Sequence, residues 1–257
     1  GSSTAFGDLD GDGFLDLYVT NYLEFDLADP PGEEGEKYYY KGVEVYYGPR
    51  GVPAQADKLY GNLGDGRFVD KSEVAGVSQW RYPALGVVFV DFDADGDLDI
   101  YVANDSAPNQ LYRNDGNWHF AEIGALAGVS HTEDGRTQAG MGVHSGDYDN
   151  DGDLDLFVTN FEDDVNTLYR HEGDGLFMDA TYEADLGGSA RPYLGWSTGF
   201  FDFDNDGWLD LFVANGHLYP QLEKHSTGLQ YAQRNLLYHN EKGRFIELGS
   251  QAGPGWE

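Results

Sequence analysis

Aspartate and apolar residues alternate in four separate stretches of the chain, and each stretch runs straight into an uninterrupted apolar segment. DLDGDGFLD begins at Asp8, DFDADGDLD at Asp91, DYDNDGDLD at Asp147 and DFDNDGWLD at Asp202, at intervals of 83, 56 and 55 residues. The segments that follow are LYVTN (17–21), IYVAN (100–104), LFVTN (156–160) and LFVAN (211–215). They are short, β-branched and aromatic, which predicts buried strands. Downstream of each lies LYGNLGDGRF from Leu59, LYRNDGNWHF from Leu111, LYRHEGDGLF from Leu168 or LYHNEKGRF from Leu237, two short strands around a glycine-containing turn. A further short strand precedes each aspartate loop: GSSTAFG, ALGVVFV, GMGVHSG and GWSTGFF. Helical periodicity is absent; EVAGVS (73–78) allows one turn at most.

Each repeat therefore reads as strand A, aspartate loop, strand B, connection, strand C, tight turn, strand D, a four-stranded antiparallel blade. The predicted fold is all-β, a β-propeller of four repeats spanning approximately 1–79, 80–134, 135–189 and 190–257. These repeats are expected to form part of a larger ring or assembly. From the first loop aspartate to the following Leu-Tyr is 20 residues in repeat two and 21 in repeat three, but 51 in repeat one and 35 in repeat four. The excess places insertions at 22–58 and 216–234, both between strands B and C.

The aspartates stand at positions 1, 3, 5 and 9 of each loop, with glycine at 6 and a backbone carbonyl on offer at 7. The expected ligands are Asp8, Asp10, Asp12, Phe14 and Asp16; Asp91, Asp93, Asp95, Asp97 and Asp99; Asp147, Asp149, Asp151, Asp153 and Asp155; and Asp202, Asp204, Asp206, Trp208 and Asp210. Oxygen donors of this number select Ca²⁺, and no His or Cys lies in the loops for a softer metal. About four Ca²⁺ are expected, one per repeat. An EF-hand is excluded because position 12 is Val19, Val102, Val158 or Val213 instead of glutamate, and strands flank the loop.

Charge agrees with this reading. The chain has 46 acidic and 15 basic residues for a formal charge of −31, which four Ca²⁺ would reduce to −23. Such an excess opposes binding to nucleic acid or anionic membrane. Cysteine is absent, and no apolar run approaches the ~20 residues of a membrane span.

The combination DxDxDGxxDLxVxN, LYxNxGDGxF and AGV (75–77, 127–129) resembles FG-GAP or VCBS repeats, as in integrin alpha-subunit propellers. GVEVYYGPRG (42–51), ANGHLYP (214–220) and QRNLLYHNEKGRF (233–245) resemble more closely the cartilage-acidic-protein-like, UnbV/ASPIC group of secreted propellers. That resemblance implies a propeller with structural calcium and an extracellular, cell-surface or periplasmic location. It also implies a cysteine pair around the first of these stretches, where this chain has tyrosines.

Binding chemistry is expected opposite the calcium loops, on the face of the insertions and the D–A loops, toward a protein or glycan. Candidate contacts there are Tyr39, Tyr46, Tyr47 and His217, together with Arg81, Arg136 and Arg191, which recur at 55-residue spacing. No catalytic residue is expected. Gly195–Gly199 (GWSTG) fits G-x-S-x-G, but on a strand instead of at a strand-to-helix turn. Asn104-Asp105-Ser106 is a bare glycosylation sequon. The alternatives to a non-enzymatic binding module are a subunit assembling through its end blades and a carbohydrate-active enzyme on a propeller scaffold.

Overall fold

The computed structural model describes residues 1–26, 28, 37–46, 48–49, 51–225 and 227–253. The first blade pairs β1 (Thr4–Gly7), β2 (Asp16–Val19), β5 (Lys58–Asn62) and β6 (Phe68–Asp70) in that order. The second is β7 (Ala84–Val90), β8 (Asp99–Asn104), β9 (Gln110–Asn114) and β10 (Phe120–Glu122). The third is β11 (Val143–Gly146), β12 (Asp155–Val158), β13 (Thr167–His171) and β14 (Phe177–Asp179). The fourth is β15 (Gly195–Phe201), β16 (Asp210–Asn215), β17 (Leu236–Asn240) and β18 (Phe245–Glu247). Every pairing is antiparallel, and the first insertion adds the hairpin β3 (Tyr38–Tyr40) and β4 (Val43–Val45). This is the expected β-propeller of four-stranded antiparallel blades. Among the described residues helix is confined to short turns such as Gly124–Ala127 and Pro220–Lys224.

Blades stack because strand B is apolar on both faces. In blades two and three it is wholly buried (β8 over six residues, β12 over four), whereas β2 alternates between buried and half-buried. One core joins each pair of neighbours. Tyr18 and Leu59 of blade one meet Ile100, Val102 and Tyr112 of blade two, and Tyr101 and Leu111 meet Leu156, Val158 and Tyr169 of blade three. Phe157 and Leu168 then meet Leu211, Val213 and Tyr238 of blade four. Each fully buried side chain of this size contributes about 1.5–3 kcal/mol.

The inner strands touch in series, β1 to β7, β7 to β11 and β11 to β15. They approach so closely that a Cβ on Gly86 would lie 2.3 Å from the Met141 carbonyl oxygen, and one on Gly142 2.4 Å from that of Trp196. β7, β11 and β15, with Ser2 and Ser3 ahead of β1, line one cavity of about 300 Å³, with Gly86, Gly142 and Ser197 in its wall. Among the described residues no helix is long and apolar enough to cross a membrane.

Candidate metal centres

The loop joining strands A and B is shaped by its own carboxylates. The position-1 aspartate accepts from the backbone at both oxygens: Asp91 Oδ1 from Asp95 N at 3.2 Å and Oδ2 from Gly96 N at 3.1 Å. Asp8, Asp147 and Asp202 do the same. The position-5 aspartates, Asp12, Asp95, Asp151 and Asp206, accept from the N–H of Phe14, Asp97, Asp153 and Trp208. Glycine at position 6 is in the left-handed region in all four loops, from φ 89° to 101°. Position 4 is left-handed too, at Gly11, Ala94, Asn150 and Asn205. At Ala94 (φ 57°) this costs of order 1 kcal/mol.

Position 9 has a different task. Asp16, Asp99, Asp155 and Asp210 are fully buried. One oxygen of each accepts from the position-2 N–H, of Leu9, Phe92, Tyr148 or Phe203. The other accepts from strand C, at Asn62, Asn114, His171 or Asn240. Each of these carboxylates thus ties the loop to the third strand of its blade. Burial pushes Asp99 and Asp155 up to about 7, and raises Asp16 as well. Burial, then the neighbouring position-5 aspartate, also raises Asp10, Asp93 and Asp149.

Carboxylate oxygens of positions 1, 3 and 9 converge within 4.8 Å of one another in loops one to three: Asp8, Asp10, Asp16; Asp91, Asp93, Asp99; Asp147, Asp149, Asp155. Asp12, Asp95 and Asp151 do not join these triads. In loop four the convergent groups are Asp202, Asp204, Asp206 and Asp204, Asp210, His239. The donor set fits a hard divalent cation. Asp93 Oδ1 is buried with no hydrogen-bond donor, the state expected of an oxygen reserved for a cation.

Histidines come to two loops, although neither loop sequence contains one. His239 Nδ1 lies 3.2 Å from Asp210 Oδ1 and 3.4 Å from Asp204 Oδ2. His171 Nδ1 lies 3.7 Å from Asp153 Oδ2. Both belong to strand C, which the position-9 aspartate draws against the loop. The expectation of a histidine-free site is corrected in loop four, where His239 joins Asp204 and Asp210; His171 stands beside loop three outside its triad. The recurring Leu-Tyr-x-x element carried the signal, since it places strand C beside every loop.

At the opposite end the two insertions pack together. Val43 on β4 meets Tyr219 and Leu222, with Tyr40 and Phe161 around them. Glu162 is buried beneath, accepting from Tyr40 Oη at 2.5 Å and Lys41 Nζ at 3.0 Å, with His217 Nε2 at 3.3 Å. Burial would raise the Glu162 carboxyl, but hydrogen bonds from His217, Tyr40 and Lys41 together hold it below the ordinary glutamate value. His217, expected as a partner contact, is instead a core residue whose Nδ1 accepts from the Tyr219 N–H at 3.0 Å. Tyr39 and Tyr46 are 63% and 65% exposed, while Tyr47 lies outside the described residues.

The three arginines divide. Arg81 pairs with Glu24 at 2.8 Å and Arg136 with Asp134 at 2.7 Å, whereas Arg191 is exposed and its carbonyl accepts from the Asp163 N–H. Ser197 lies within β15, so the G-x-S-x-G spacing forms no nucleophile elbow. Asn104 is buried and its amide donates to the Pro108 carbonyl, so the sequon nitrogen is engaged in the fold.

Comparison with known proteins follows this geometry. The family model for FG-GAP-like repeats matches residues 43–102, 91–158 and 147–213, and that for the FG-GAP repeat matches 1–40. Cartilage acidic protein 1 of Homo sapiens is 30% identical over 95% of this chain and 42% of its own length. The Mus musculus protein is 30% identical over 95% and 43%. The chain thus spans less than half the length of these curated relatives. Among solved structures, an Agrocybe aegerita lectin recognising non-reducing terminal N-acetylglucosamine covers 94% of the chain and 49% of its own. It is 16% identical with a TM-score of 0.42, a likeness too loose to bear on ligand or fold.

Proposed function

The chain belongs to the FG-GAP-like repeat family, and from that premise we propose that it is a calcium-stabilised extracellular propeller whose inserted loops bind a protein or glycan. The observation that carries the reading is a division of labour between the two ends of the blades. Carboxylates of all four aspartate loops converge in clusters at one end, and at the other two insertions form a packed platform that leaves Tyr39 and Tyr46 in solvent. Positions 1, 3 and 9 would hold the ion in loops one to three, and Asp202, Asp204, Asp206 and Asp210 with His239 beside them in loop four. Bound calcium supplies positive charge that offsets the buried position-9 carboxylates and fixes the loop against strand C. Tyrosine offers stiff, amphipathic contact area to a partner.

Titration of the metal-free chain with CaCl₂ in a calorimeter tests the scaffold half. About four sites are expected, and absence of saturable heat would refute it. An array of glycans and matrix proteins probed with the calcium-loaded chain tests the binding half. Replacing Tyr39 and Tyr46 together with serine should abolish its signals; unchanged signals would place recognition elsewhere.

A further inference from the structure

Neighbouring aspartate loops are tied to one another as well as to their own blades, and the ties differ from junction to junction. The strand registers place Asn114, His171 and Asn240 at one position, two residues after the tyrosine of strand C. Between loops one and two, Asn114 Nδ2 donates to the position-2 carbonyl of the first, Leu9 O, at 2.9 Å and to the position-8 carbonyl of the second, Leu98 O, at 3.1 Å. Between loops three and four, Asn240 Nδ2 repeats this with Tyr148 O and Leu209 O, at 2.7 and 2.8 Å. A second amide crosses that junction. Asn150, at position 4 of loop three, donates through Nδ2 to Gly207 O, at position 6 of loop four, at 3.1 Å.

Between loops two and three neither tie is made. His171 takes the place of the asparagine, and both of its ring nitrogens are buried without a hydrogen-bond partner. Position 4 of loop two is Ala94, whose methyl has nothing to donate. Apolar packing does not share this break. The position-2 ring meets strand D of the next blade at both places, Phe92 to Phe177 with centroids 6.3 Å apart and Tyr148 to Phe245 at 5.9 Å. Side chains at these two positions thus tie the first junction once, the second not at all and the third twice.

Each tied carbonyl at the third junction lies among residues expected to hold an ion. Tyr148 is flanked by Asp147 and Asp149, and Leu209 by Trp208 and Asp210. Gly207 O belongs to the same peptide unit as the Trp208 N–H, which donates to Asp206. An ion that fixes loop four therefore also fixes the backbone around Asp149, and part of the ordering cost of loop three is met before its own ion arrives. The effect is reciprocal, because each ion changes the affinity for the other by the same factor.

Resting on the calcium reading above, we propose that loops three and four bind calcium as a coupled pair, with Asn150 and Asn240 as the positioning residues that couple them. The junction of Ala94 and His171 separates this pair from loops one and two, which Asn114 alone joins more weakly.

A calcium titration followed by ¹H–¹⁵N NMR tests this loop by loop. Each position-6 glycine, Gly13, Gly96, Gly152 or Gly207, donates its N–H to the position-1 carboxylate of its own loop and so reports that loop. Asp202→Asn, which weakens loop four, should raise the Gly152 midpoint about fivefold or more and leave that of Gly96 within about twofold. The junctions are then exchanged, using residues the chain already carries at these places. Asn150→Ala with Asn240→His copies the second junction into the third, and in that background Asp202→Asn should no longer move Gly152. Ala94→Asn with His171→Asn copies the third junction into the second and should make Gly96 respond to Asp202→Asn as well. Should Asp202→Asn leave the Gly152 midpoint of the otherwise unaltered chain in place, the loops are independent and the coupling is refuted. If Gly152 still follows Asp202→Asn after Asn150→Ala with Asn240→His, the packed core carries the coupling and these two residues do not. Failure of all four glycine signals to saturate with calcium would overturn the calcium reading, and this inference with it.

Discussion

The two ends of the blades reach order by opposite routes. At the aspartate end the carboxylates of positions 1, 5 and 9 accept from their own loop or from strand C of their own blade, and the same bonds recur four times. At the insertion end the central bond joins Tyr40 to Glu162, 122 residues apart, and occurs once. Their buried acids differ accordingly. Glu162 has Lys41 and His217 beside it and sits below its ordinary value, whereas burial, reinforced by neighbouring aspartates, pushes Asp99 and Asp155 up to about 7. One end carries compensating charge in the chain; at the other, the proposed calcium would supply it.

Removing calcium tests that contrast with the largest effect. At a calcium concentration a hundredfold above Kd each site adds about 2.7 kcal/mol, so four add about 11 kcal/mol. At about 2–4 °C per kcal/mol for a chain of this size, EGTA should lower Tm by about 20 °C or more in a calorimetric scan. An unchanged Tm would remove the structural role of the metal.

A buried acid away from the metal loops gives the next largest effect. Asp57, at the root of the first insertion, accepts from Asn21 N at 2.7 Å and Tyr18 Oη at 3.0 Å, and burial pushes it up to about 7. Its folded value lies above its unfolded one, so its contribution to stability is complete below about pH 4 and is lost as pH rises through 7. At about 1.4 kcal/mol per unit, the loss reaches roughly 4 kcal/mol at most. Asp57→Asn should therefore stabilise the calcium-saturated chain at pH 8 and match the unaltered chain below pH 4. Parallel urea-melt profiles across that range would contradict the assignment.

Glu162→Ala follows, at about 1–3 kcal/mol, because it removes the buried acceptor of Tyr40 Oη and the partner of buried His217, while Lys41 keeps Asp163 at 2.7 Å. Calcium affinity should stay within twofold, since the cluster stands at the other end of the blades. A larger shift would show that the two ends are coupled.

The sequence disclosed these ends unequally, for a physical reason. Loop, strand B and strand C recur in fixed order, so period and residue type suffice to place Asp8, Asp91, Asp147 and Asp202 at the start of β-strand-linked turns. The left-handed backbone at Ala94, Asn150 and Asn205 was missed because these residues do not announce it as glycine does. The position-9 aspartates read as ligands, while their bonds to strand C were hidden by intervals of 15 to 46 residues. His217 was misread because its neighbour Glu162 lies 55 positions away, in another blade's connection. Burial made by non-local packing leaves no local pattern.

The smallest effect belongs to the arginines on the insertion face. Arg81 and Arg136 are each more than half exposed, and their partners Glu24 and Asp134 are exposed as well. Exposed pairs of this kind contribute about 0–1 kcal/mol. Replacing Arg81, Arg136 and Arg191 together with glutamine should move Tm by only about 2 °C at the scale used above. This near-silence in stability gives the variant its value. Glu162→Ala disturbs the platform and its contents at once, so a loss of binding there has two readings. In the triple glutamine variant the platform of Tyr40, Val43 and Tyr219 is untouched, and any loss of partner binding at unchanged Tm belongs to recognition by the arginines. Retained binding would return Arg81 and Arg136 to the local pairs they already make.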